Sequence, residues 1–182
     1  MRDAVITDAP QRTPEVWIRR FVTQYNKWAV SDGAIKIPFD TLSLFDIVHG
    51  ARGVSPKLLE NRMIQKLKRR AEQWEDALEI QHDFVAKYRS RSPGSAEIEC
   101  PAVPTLYGIV TSHTIIAFVT YDPSAESPAL RTVAIFDFSQ EGFDVWNALA
   151  VAIFCIHCRN RMIELMEFLP DFEADEEIDP DL

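Results

Sequence analysis

An α+β fold is the class this sequence predicts, on three observations. Apolar residues recur at helical spacing through the first half, β-branched and aromatic runs fill the second, and a long apolar helix pattern lies near the end. The expected arrangement is N-terminal helices followed by a small, mostly antiparallel sheet covered by a long C-terminal helix. With 182 residues, 47% hydrophobic and 26% charged, the chain has the balance of a folded protein and the length for a core of its own. One domain is expected over 1–170, with a helical part at 13–89 and a sheet-plus-helix part at 96–169, before an acidic tail at 171–182.

Thr13-Pro14-Glu15 is a helix start. It offers a capping hydroxyl, a proline where a missing N–H costs nothing, and an acid at the positive end of the dipole. Trp17, Phe21, Tyr25 and Trp28 follow at spacings of four, four and three, so this aromatic stripe is the expected contact face. Ser31-Asp32-Gly33 ends the helix. Ala34 to Ile37 reads as a short strand before Pro38, and Asp40 or Thr41 as the cap of a short helix through Leu42, Phe45, Ile47 and Val48 that Gly50 closes. A loop follows at Gly50-Ala51-Arg52-Gly53.

Ser55-Pro56 opens a longer helix whose seam runs Ile64, Leu67, Ala71, Trp74, Leu78, Gln81, Val85 and Tyr88, alternating steps of three and four. Unbroken from Pro56 to Tyr88 it would reach about 50 Å, at about 1.5 Å per residue. That length predicts either a break or an end that packs on another chain. Trp74 and Leu78 are therefore candidate binding residues, with Gln81 setting the register, and a homodimer or a helical protein partner as the occupant.

Ser90 to Ser95 is a linker. Leu106–Thr111 and Thr114–Tyr121 form an expected hairpin around Ser112-His113, and Thr132–Phe138 a third strand. Both alternating faces of these strands are apolar, so cover on both sides is expected, with a helix from about Phe143 to Phe168 supplying it. Seven of the last twelve residues are acidic and none is basic, which makes a solvated tail. The net charge of −9 falls to −2 without that tail, and a negative chain gives nucleic acid no electrostatic support as a partner. The longest apolar run, Ala148–Ile156, is nine residues, too short to span a bilayer. Three cysteines without a leader pattern point to an intracellular protein, cytoplasmic or nuclear.

Chemistry-bearing patterns are incomplete. Cys155-Ile156-His157-Cys158 offers two zinc ligands, and Cys100 and His113 would complete a set only if strands brought them to this helix. Mid-helix placement speaks against redox use, so buried structural cysteines without metal or cofactor are expected. Arg62, Lys66, Lys68, Arg69 and Arg70 precede Glu72, Glu75, Asp76 and Glu79. Such opposed blocks form helical ion pairs or a solvated face, while Arg69 and Arg70 are the candidates for contact with phosphate. Glu97 and Glu99 share a strand face, and with Asp137 they are the candidate catalytic carboxylates for holding Mg²⁺.

From Trp74 onward the order is amphipathic helix, linker, Val103-Pro104-Thr105-Leu106-Tyr107-Gly108-Ile109-Val110, Ile115–Val119, Val133–Phe136, and a helix with Val145-Trp146-Asn147-Ala148-Leu149-Ala150. This order resembles the C-terminal half of the fungal PD-(D/E)XK nuclease-like proteins. Such families cut nucleic acid with an aspartate, a Glu-x-Lys and a divalent metal. The nearest counterpart here is Glu99-Cys100-Pro101, with proline where lysine belongs, which implies a shortened, inactive member. Phe21, Tyr25, Ile37-Pro38, Leu42–Val48, Gly53-Val54 and Phe84–Tyr88 are similar in spacing to an AT-rich interaction domain, a helical DNA-binding fold. It departs from that pattern at Arg52-Gly53, where paired glycines are usual. The leading expectation is a non-catalytic interaction or regulatory protein, and the alternatives are a divergent metal-dependent nuclease or other enzyme, and a DNA-binding module.

Overall fold

The computed structural model describes residues 13–35, 42–51, 53–89, 101–126 and 130–169, and of residues 81–89 the backbone alone. Along the chain lie α1 (Pro14–Asp32), β1 (Phe45–Gly50), α2 (Pro56–Arg89), β2 (Leu106–Ser112), β3 (Ile115–Tyr121), β4 (Leu130–Asp137) and α3 (Asp144–Met166). The four strands sit side by side in chain order; β1 runs parallel to β2, and the other two pairings are antiparallel. The fold is α+β, with α3 following the sheet.

Residues 45–50 form a strand where the sequence pattern suggested a short helix. Phe45 and Ile47 point to one side of the sheet, Asp46 and Val48 to the other, and the ladder runs from Phe45↔Tyr107 to Gly50↔Ser112. So short an apolar cluster fits either period, and pairing with a neighbouring strand decides it. The half of the chain expected to be helical thus contributes an edge strand. Ala34 occupies a turn with φ 49° rather than a strand, and residues 36–37 of that expected strand lie outside the described residues.

Parallel neighbours need a crossover, and α2 belongs to it. The helix runs through 34 residues without a break. Leu59, Met63, Leu67, Ala71, Trp74 and Leu78 are buried against the face of the sheet that carries Val48, Leu106 and Val119. Trp74 has no exposed surface and Leu78 is buried, so both belong to the core of this chain and neither is open to a partner. The side chains of Gln81, Val85 and Tyr88 lie outside the described residues. Gly108 lets α2 approach this closely: a Cβ there would come within 2.7 Å of the Met63 sulfur and of Val119 Cγ2. Asp46 fastens the pair by accepting from Lys66 Nζ at 2.6 Å, with Arg70 Nε at 3.6 Å.

The opposite face is covered by α1 and α3. Ile18 and Val22 of α1, and Val151, Cys155 and Cys158 of α3, meet Phe45, Ile109, Ile116 and Phe118. Arg159 clamps the two helices by donating to Asp32 at 2.5 Å. The face α1 buries is Glu15, Ile18, Val22, Asn26 and Ala29, while of the aromatic stripe Tyr25 packs half-buried against the same core and Phe21 and Trp28 stay exposed. Cover is also incomplete at β4, where Val133 (64%) and Ile135 (66%) stay exposed because α2 packs over β1 and β2.

Candidate interaction face

Two of the α1 aromatics, Phe21 and Tyr25, stand beside α3. Phe21 and Tyr25 form one wall of an apolar groove of about 470 Å³, Val145, Ala148 and Ala152 form the other, and Ile116 of the sheet belongs to its lining. Asp144 and Tyr25 supply its polar atoms. Phe21 remains 52% exposed at the lip.

Next to this groove α3 carries a ridge. Trp146 (67% exposed), Leu149 and Ile153 (59%) recur at spacings of three and four, one helical face pointing away from the sheet. A helix lying on a sheet needs one apolar stripe; α3 carries apolar residues well beyond it. The sequence carries this signal in the uninterrupted apolar run at 148–156, from which cover for the sheet alone is expected.

Of the sequence-derived site residues, Asp137 ends β4 and accepts from Thr114 Oγ1, Ser139 N and Ser139 Oγ, each at 2.8 Å. The Ser139 and Thr114 hydrogen bonds hold its carboxyl below the usual range. Its carboxylate fixes the turn into α3, and its carbonyl oxygen accepts from Asn147 Nδ2 at 3.0 Å. Glu97, Glu99, Cys100 and the 171–182 tail lie outside the described residues. Among the described residues no three His, Cys, Asp or Glu side chains converge to hold a metal. Cys155 and Cys158 are buried free thiols, and burial pushes Cys155 up to about 12 and Cys158 further.

Arg69 and Arg70 part company: Arg70 turns in to Asp46 and Gln73, while Arg69 lines a cleft with Arg19, His49, Arg62, Gln65 and Lys66. Sequence reasoning missed Arg19 and His49 because they come from α1 and β1, and only the fold brings them to α2. Among the described residues no helix is long and apolar enough to cross a membrane. Comparison of the chain with family models, with curated proteins and with solved structures finds no match.

Proposed function

We propose that the protein is a non-catalytic interaction protein that pairs with a second copy of itself through the α1–α3 face. The observation that carries this reading is the adjacency, on one helix, of an exposed apolar ridge and an apolar groove. A two-fold axis across that face lays each ridge in the other copy's groove, the self-complementarity a closed dimer requires. Ala148 and Ala152 keep the groove wall low, so a second helix can approach closely. Trp146 is the natural anchor, since buried aromatics supply much of the energy of interfaces. Left open, so much contiguous apolar surface would invite disordered association.

Molar mass by light scattering across protein concentration tests the pairing. The expected result is a rise from 20.8 kDa to twice that value, abolished by Leu149→Asp without loss of melting temperature. A mass that stays at 20.8 kDa at the highest attainable concentration would exclude the second copy.

A further inference from the structure

On the other side of α1 a cleft of about 300 Å³ opens over the outer edge of β1. Arg19 stands on the α1 wall, Arg62, Gln65, Lys66 and Arg69 on the α2 wall, and His49 comes from the strand between them. Lys66 is engaged by Asp46 at 2.6 Å and by the Ile47 carbonyl at 3.1 Å. Arg19, Arg62 and Arg69 make no ion pair among the described residues. Three guanidiniums without an ion pair among the described residues thus gather in one concavity of a chain whose net charge is −9.

We propose that this cleft binds a small ligand carrying a diphosphate or an equivalent pair of phosphate charges. The planar guanidinium fork matches phosphate oxygens two at a time, and here forks reach in from two walls. The volume sits at the lower end of the range for small-molecule sites, too small for a helix. A long nucleic acid fits the charge poorly, because away from the cleft it meets a negatively charged chain. Gln65 adds a neutral donor and acceptor on the α2 wall. The local potential is already legible at His49, which burial, then Arg19, then Lys66 and Arg62 hold below its usual 6.5 against the pull of Glu15.

Isothermal titration of the full chain with sodium pyrophosphate at low ionic strength is the test. A peptide of residues 171–182 serves as the comparator, because the acidic tail is the other anion available to the cleft. The expected result is saturable binding of one pyrophosphate per chain. Arg62→Ala and Arg69→Ala should each weaken it by about tenfold or more, at unchanged melting temperature. Arg131→Ala, on β4 and outside the cleft, should leave it unchanged. Three outcomes would overturn the proposal: no saturable pyrophosphate binding, binding that both cleft substitutions leave intact, or tighter binding of the acidic peptide than of pyrophosphate.

Discussion

The indole nitrogen of Trp74, within α2, donates to the carbonyl oxygen of Ser43 at 3.1 Å, across 31 residues of chain. That bond ties the crossover helix to the backbone just before β1. The Ser43 hydroxyl donates in turn to the Phe45 carbonyl at 3.0 Å, so the segment entering the edge strand is held from both sides. Trp74→Ala removes a fully buried aromatic and should cost about 3–5 kcal/mol. Trp74→Phe keeps most of the apolar area but strands a buried carbonyl, for a cost of about 1–3 kcal/mol. Chemical denaturation of both variants measures the two terms. A Trp74→Phe variant as stable as the unaltered chain would mean that the hydrogen bond contributes nothing.

The close approach of α2 to β2 depends on Gly108. A methyl group there meets Met63 and Val119 at 2.7 Å, well inside contact distance. Gly108→Ala should destabilise by about 1–3 kcal/mol through overpacking. Because the Met63 side chain is the flexible neighbour, Gly108→Ala should cost less in a Met63→Ala background than in the unaltered chain. A double-mutant cycle reads the coupling directly, and strict additivity would contradict the contact.

What the sequence reveals about this fold follows physical lines. The α1 start at Pro14, the β2–β3 hairpin and the extent of α3 are legible because a proline at the first helical position, β-branched runs and long apolar periods are local signals, although the Thr13 hydroxyl makes no capping hydrogen bond. Strand β1 is not, since Phe45–Val48 satisfies a helical or a strand period and only Tyr107–Val110 alongside settles it. The seam predicts Trp74 as an anchor for another chain, because a seam shows that a helix has an apolar face, not which surface covers it. The α1 aromatics misled in the same way: size suggested burial, whereas the sheet took Ile18 and Val22. Arg69 was legible as part of a basic run, but its neighbours Arg19 and His49 are joined to it only by the fold.

Cys155 and Cys158 should be inert to thiol reagents in the folded state at neutral pH and react fully on unfolding. Burial raises the Cys155 thiol from 9.0 to about 12, and burial with the neighbouring Cys155 raises Cys158 further. The sign follows from proton linkage. The unfolded chain releases these protons from about pH 9 while the folded chain keeps them, so the stability they contribute is full below pH 9 and declines above it, through the folded value near 12. Denaturation midpoints at alkaline pH, compared with those of Cys155→Ala/Cys158→Ala, check this. Stoichiometric labelling of the native protein at neutral pH would contradict it.

His49 should titrate below 6.5 in the folded chain, held there first by burial and then by Arg19. Its protonated form is disfavoured on folding, so the stability it contributes is present above pH 6.5 and is lost as pH falls. Following the imidazole resonances by NMR gives the value, and Arg19→Ala should move it upward. An unchanged titration in that variant would remove Arg19 from the vicinity of the ring.

The pairing of ridge and groove is tested most directly by photo-cross-linking from the ridge itself. With benzoylphenylalanine replacing Trp146, irradiation of the full chain should give a covalent dimer whose mapped links fall on the groove walls, at Phe21, Tyr25 and the Val145–Ala152 stretch of the second copy. Leu149→Asp in the same chain should suppress those links. Absence of any covalent dimer at high protein concentration, or links confined to surfaces remote from α1 and α3, would contradict pairing through this face.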